Sequence, residues 1–203
     1  AKAPAPDPFP PDPVPQDPID LLTVVDLRMD PVAGIWSRNG ESLVTPSSPF
    51  ARLQLPYLPP AEYDLRVTAE RKSGEDSLNI GLSQGDRQFA VILDGGKGGD
   101  FGGLDMVDRK PFFENTTSYR KRMLPLKERR TITCSVRRGG VRVLIDDQKV
   151  IEWSGSYASL SLFGDWQVPE RRGMFIGAFS SVFEIHAVVL IPFSAGGGKL
   201  RPG

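Results

Sequence analysis

Arg130-Thr-Ile-Thr-Cys-Ser-Val-Arg-Arg-Gly-Gly-Val-Arg-Val-Leu-Ile-Asp-Asp-Gln-Lys-Val-Ile-Glu-Trp153 is the stretch whose reading decides the fold. Ile132, Cys134 and Val136 alternate with Thr131, Thr133 and Ser135, and Val141, Val143 and Ile145 alternate with Arg142, Leu144 and Asp146. A period of two belongs to strands that bury one face. Two reversals interrupt it, Arg137-Arg-Gly-Gly140 and Ile145-Asp-Asp-Gln-Lys149, and both hold residues that accept the left-handed backbone of a tight turn. The stretch therefore predicts a three-strand antiparallel meander.

The same period recurs outward in both directions. Tyr63, Leu65, Val67 and Ala69 alternate with Asp64, Arg66, Thr68 and Glu70, and Leu78, Ile80 and Leu82 alternate with Ser77, Asn79, Gly81 and Ser83. Residues 35–38, 42–45, 51–55, 88–94, 104–107, 174–179 and 183–191 read as further strands, joined by Gly, Pro, Asn and Asp turns. Helical signal is thin: residues 156–162 have room for about one turn, and Pro125 breaks residues 120–130. The expected fold is all-β, an antiparallel two-sheet jelly-roll sandwich over residues 19–193. Residues 1–18 hold eight of the 19 prolines and read as an extended, disordered spacer, and residues 194–203 read as a flexible tail.

Composition narrows the function classes. The chain has 203 residues, 25 Lys plus Arg against 25 Asp plus Glu, and a formal net charge of zero, so no bulk attraction to nucleic acid is built in. No apolar run approaches a membrane-span length. The single cysteine, Cys134, excludes an intrachain disulfide and reads as a core thiol. The chain carries no recognisable signal peptide, and one removed before its first residue remains compatible with the sequence.

Gly140–Trp153 resembles the hairpin of laminin-G-like and concanavalin A-like domains. The order of Val32–Val44, Glu62–Val67, Asp76–Leu82, Arg87–Gly95 and Gly177–Val188 resembles the concanavalin-like domains grouped with 3-keto-disaccharide hydrolases, the DUF1080 group, in its planctomycete versions. The resemblance covers most of residues 20–192. It implies a bacterial β-sandwich whose concave sheet meets carbohydrate, and it leaves the activity open because one fold serves many functions.

Parity picks the surface to examine. With Leu78, Ile80, Leu82, Phe89, Val91 and Leu93 inward, Asn79, Gly81, Ser83, Gln88, Ala90, Ile92 and Asp94 face out. The loop from Asp94 to Asp105 has six glycines and reads either as a binding loop or as a mobile connection. Sugar recognition combines polar anchors with an aromatic wall. The expected ligand-binding residues are Asn79, Gln88, Asp94, Asp105, Asp108, Asn115 and Trp166, with Phe112 and Tyr119 as further aromatic candidates. Trp36 and Trp153 sit in strand patterns and read as core.

Three functions follow as expectations. The leading one is a noncatalytic polysaccharide- or oligosaccharide-binding module, displayed by the spacer in an extracytoplasmic setting beside further domains of a parent protein. A glycoside hydrolase acting on a 3-keto-glycoside is the alternative, with Asp94 and Asp105, or Asp105 and Asp108, as the paired carboxyls. A structural or interaction domain of a larger envelope protein is the third. No cofactor is expected, with calcium held by Asp94, Asp100, Asp105 or Asp108 as the open option. His186 reads as a solvated strand residue, and Arg120–Arg122 with Arg129–Arg130 as a solvated basic cluster.

Overall fold

A computed structural model describes residues 14–201. Two antiparallel sheets stack face to face. The first is eight-stranded and runs in the order Gln148–Ser154, Gly140–Ile145, Arg129–Arg137, Tyr63–Ser73, Val182–Pro192, Ser42–Val44 and Ser37–Asn39, with Ile19–Asp20 also paired to Val182–Pro192. The second runs Tyr119–Arg120, Phe101–Leu104, Arg87–Gly95, Leu78–Gln84, Phe175–Ala178, Ala51–Gln54 and Pro31–Ala33. The expected all-β sandwich is therefore present, with the 130–153 meander forming one end of the first sheet.

Its turns work as their residues require. Asp146 and Asp147 take φ of 47° and 65°, a left-handed pair that reverses the chain inside the twist of a hairpin. The 156–162 segment holds a single 3-10 turn, Tyr157–Ser159, capped by the Ser156 hydroxyl accepting from the Ala158 N–H.

The inward positions of both sheets form one core in which Leu65, Val67, Ile132, Cys134 and Leu190 meet Leu53, Leu78, Ile80, Phe89 and Val91. Each such side chain removed from water contributes about 1.5–3 kcal/mol. Tyr63 bridges the layers: its hydroxyl donates to the Ser83 carbonyl at 2.8 Å and accepts from the Ser83 N–H at 3.0 Å. Trp36 and Trp153 are buried, as expected, Trp153 within the strand Gln148–Ser154 and Trp36 just before the strand Ser37–Asn39.

One inward position is charged. Arg71 continues the parity of Leu65, Val67 and Ala69 and is 1% exposed, and its Nη2 lies 3.0 Å from Asp94 Oδ2 on the second sheet. This corrects the outward placement of Asp94. Its φ of 58° breaks the alternation of its strand, a left-handed conformation that aspartate tolerates, and the side chain swings inward. There it also accepts from the Met123 and Leu124 N–H groups at 2.7 and 2.8 Å.

The expected flexible tail instead lies along the domain. Gly198–Lys199 pairs with Tyr57–Leu58, and Arg201 Nη2 reaches Asp30 Oδ2 at 2.8 Å. Of the proline-rich spacer, residues 1–13 lie outside the described residues, and the Gln16 N–H donates to the Pro192 carbonyl at 2.8 Å. Among the described residues no helix is long and apolar enough to cross a membrane.

Candidate functional site

The outer face of the second sheet holds a pocket of about 550 Å³, a volume in the range of small-molecule sites. Pairing puts Asn79 opposite Ile92 on one side and Gly177 on the other, so these three share one level across the sheet. Asn79 and Ile92 line the pocket floor, with Ser77 and Asp76 beside them.

Aromatic rings make its walls. Phe50 contacts Phe163, Trp166 and Phe179, with centroids 6.1, 5.1 and 4.9 Å away. Phe112 and Phe113 meet edge to face at 5.1 Å and line the pocket beside Met106 and Pro111. Trp166 is anchored from behind by Phe175, stacked at 6.3 Å. The Phe175 ring in turn lies where a Cβ on Gly81 would stand, 1.9 Å from its nearest atom, which is why that outward position carries no side chain.

Two polar groups stand out in this apolar setting. Asn79 has no exposed surface, and neither its Oδ1 nor its Nδ2 has a protein partner. A buried amide left unpaired costs on the order of 1–3 kcal/mol, so it calls for an explanation. Asp105 is 3% exposed, and its Oδ2 accepts from the Phe163 N–H at 2.7 Å. Burial pushes its carboxyl up to about 6, against only that one hydrogen bond acting the other way. Asp76, at the pocket edge, is also raised by burial, although its Oδ1 accepts from the Ser77 N–H at 2.7 Å.

Three of the expected ligand-binding residues, Asn79, Asp105 and Trp166, thus converge on one pocket, and Phe112 joins them. The others lie elsewhere. Gln88 Nε2 donates to the Gly173 carbonyl at 2.6 Å and ties down the 170–173 segment. Asp94 is held by Arg71, so the expected Asp94 and Asp105 pair does not meet in the pocket. Asp108 is exposed in a turn with Arg109, both at positive φ. Asn115 is buried, its Nδ2 donating to the Leu104 carbonyl at 2.7 Å and its Oδ1 accepting from the Thr117 N–H and hydroxyl, so it braces the loop that carries Asp105 and Phe112. Tyr119 packs over Gly102, away from the pocket.

Apart from Asp105 at its end, the glycine-rich loop meets the pocket through Gly96. Its tip is bound by Arg122, whose Nη2 donates to the Gly98 carbonyl at 2.9 Å and whose Nε donates to that of Gly99 at 3.2 Å. Asp76, Phe50, Phe163 and Phe179 carried no sequence signal, because they come from loops or strand ends where periodicity says nothing about neighbours.

The four aspartates considered for calcium do not gather. Asp94 pairs with Arg71, Asp100 Oδ2 accepts from Arg120 Nε at 2.8 Å, and Asp105 and Asp108 occupy the pocket and an exposed turn. Among the described residues the cluster with metal-ligand spacing is Glu70, Glu184 and His186 on the first sheet, with ligand atoms within 4.8 Å of one another. Lys72 already bridges its carboxylates, 2.9 Å from Glu70 and 3.2 Å from Glu184, and its hydrogen bond holds Glu70 below the usual carboxylate range. His186 is thus part of an ion network, with Nε2 3.4 Å from Glu70 and Nδ1 3.1 Å from the Ser42 hydroxyl. The basic cluster is likewise paired: Arg130 contacts Asp146 and Glu128 at 2.7 and 2.6 Å.

No protein-family model and no curated protein sequence matches this chain. Solved structures do. The Crh5 transglycosylase in complex with NAG is 12% identical, covers 91% of this chain and 89% of its own, and superposes with a TM-score of 0.58. The exoplasmic/lumenal domain of VIP36 in its Ca2+/Man3GlcNAc-bound form is 8% identical, covers 81% of this chain and 85% of its own, and gives a TM-score of 0.55. At such identities the likeness is one of fold alone, an antiparallel two-sheet β-sandwich with the architecture of a concanavalin A-like jelly roll.

Proposed function

We propose that this domain is a noncatalytic carbohydrate-binding module whose site is the aromatic pocket over Asn79. The observation that carries the reading is the unpartnered Asn79 amide, fully buried on the floor of that pocket. One amide offers a donor and an acceptor side by side, which two adjacent sugar hydroxyls can satisfy together. Asp105 adds an oxygen that accepts or donates according to its protonation, and the rings of Phe112, Phe163 and Trp166 offer apolar surface to the sugar's C–H face. The sugar-bound states named for the VIP36 and Crh5 structures support the reading by analogy of fold. An extracytoplasmic, tethered setting fits the proline-rich residues that precede the domain.

The test is a broad glycan array followed by calorimetry. Asn79→Ala and Phe163→Ala should each weaken the best hit at least about tenfold, about 1.4 kcal/mol, while Asp108→Ala should bind as wild type does. Absence of binding across the array, or binding that survives Asn79→Ala, overturns the proposal.

A second reading, glycoside processing on a 3-keto-glycoside or related sugar, is favoured by one observation: Asp76 and Asp105 both line the pocket, and both are raised toward neutrality by burial. Retention of a protonated carboxyl beside a second carboxyl is what acid-assisted glycoside cleavage needs. Product release from 3-keto and ordinary disaccharides, abolished by Asp105→Asn, would establish it. No release over days would retain the binding reading.

A further inference from the structure

We infer that the pocket works end-on, receiving the neutral terminal unit of a glycan rather than an internal stretch laid along the sheet. The inference rests on the carbohydrate reading and specifies what that site accepts.

The outer face of the second sheet has three successive levels, fixed by register: Asn79 with Ile92 and Gly177, then Gly81 with Ala90 and Phe175, then Ser83 with Gln88. Only the first opens into the pocket. The second is covered by Phe175 and Trp166, which pack with Ala90, Ile92 and Val168 into a closed apolar cluster of their own. The third lies under residues 170–173, held by the Ser83 hydroxyl donating to the Arg172 carbonyl at 2.6 Å and Gln88 Nε2 donating to the Gly173 carbonyl at 2.6 Å. The same segment is fixed farther along, where Arg52 Nε donates to the Gln167 carbonyl at 2.7 Å and the Glu170 N–H to Gln54 Oε1 at 2.9 Å. Residues 163–173 therefore form a strap built into the fold.

Across the strands the site is walled as well. Phe50, with its three aromatic contacts, stands on one side, and the Phe112 and Phe113 pair on the other. A polymer passing through would need exits in opposite directions, and these positions are filled. A chain end needs one entrance. Charge limits the occupant further, because no Lys, Arg or His lines the pocket while Asp76 and Asp105 do. An anionic sugar would meet two carboxyls and no counter-charge.

The test uses the full chain at pH 7 with unbranched neutral polymers, pullulan, amylose and linear β-mannan, which carry one non-reducing end per chain, each intact and after limited acid hydrolysis that shortens it about tenfold at constant mass. Titration calorimetry should give about tenfold more protein bound per gram of hydrolysate at an unchanged Kd for whichever polymer binds. Equal protein bound per gram before and after hydrolysis overturns end-on recognition while leaving carbohydrate binding intact. No binding to any of the polymers, cut or uncut, overturns both. Hydrolysed polygalacturonate should not bind, and binding as tight as the neutral hydrolysate's overturns the restriction to neutral units.

Discussion

Asn79→Leu should make this protein more stable. The amide sits in the second sheet with no exposed surface, and neither Oδ1 nor Nδ2 has a partner. Removing a buried, unpaired amide recovers on the order of 1–3 kcal/mol of desolvation. Leucine branches at the same carbon, and its extra volume is directed into a pocket of about 550 Å³ rather than into the packed core. For a chain of this size each kcal/mol moves Tm by about 2–4 °C, so a rise of roughly 2–12 °C is expected. Thermal melts followed by circular dichroism measure it, with urea unfolding to show that the slope m is unchanged and only the midpoint rises. The same variant should lose the glycan response of the wild type. A gain in stability bought with loss of binding would mark Asn79 as retained for a ligand. A Tm below that of the wild type would refute the reasoning, since it would mean that the amide supports the fold.

Asp94→Asn should do the opposite: loss of the charge leaves Arg71 buried without its counter-ion, at a cost of about 3–5 kcal/mol, yet at temperatures where the variant stays folded its glycan affinity should equal the wild type's. Chemical denaturation and calorimetry on the same sample separate the two effects, and a specific loss of affinity in the folded variant would return Asp94 to the site. Asp105, raised from 3.8 to about 6, favours the folded state only while protonated. The unfolded chain ionises first, so stability from this group is present below pH 3.8 and declines by about 3 kcal/mol as pH rises through about 6. Asp105→Asn, which keeps an oxygen for the Phe163 N–H, should therefore match the wild type near the lower limit and exceed it at pH 7; equal stability at pH 7 would rule out the strained carboxyl. Cys134 is fully buried and its thiol is pushed up by desolvation, so it should resist an aromatic disulfide reagent in the native protein and react at once in denaturant. Rapid native labelling would contradict its place in the core.

Much of the fold is legible because strand periodicity is local. The alternation in 130–153 reports which side chains leave water, and the two turn sequences report where the chain reverses. The site is less legible. Parity found Asn79 because its strand is regular up to that point, and it misplaced Asp94 because one left-handed residue inverts the rule. Gln88 and Asn115 are polar residues of the type that binds sugars, and both spend their hydrogen bonds on bracing loops, which residue type alone does not reveal.

What the sequence determined by itself is the β-sandwich, the burial of Trp36, Trp153 and the Cys134 thiol, and an outer sheet surface of small and polar residues, since these follow from alternation and from Gly and Asp at turns. What only the tertiary structure decided is how much of that surface stays open. Closure depends on Phe50, Phe112, Phe163 and Trp166, which lie far apart in the chain and meet through loop packing. Contacts of that kind leave no period to read, and they turn a sheet face into one pocket over a single unpartnered amide.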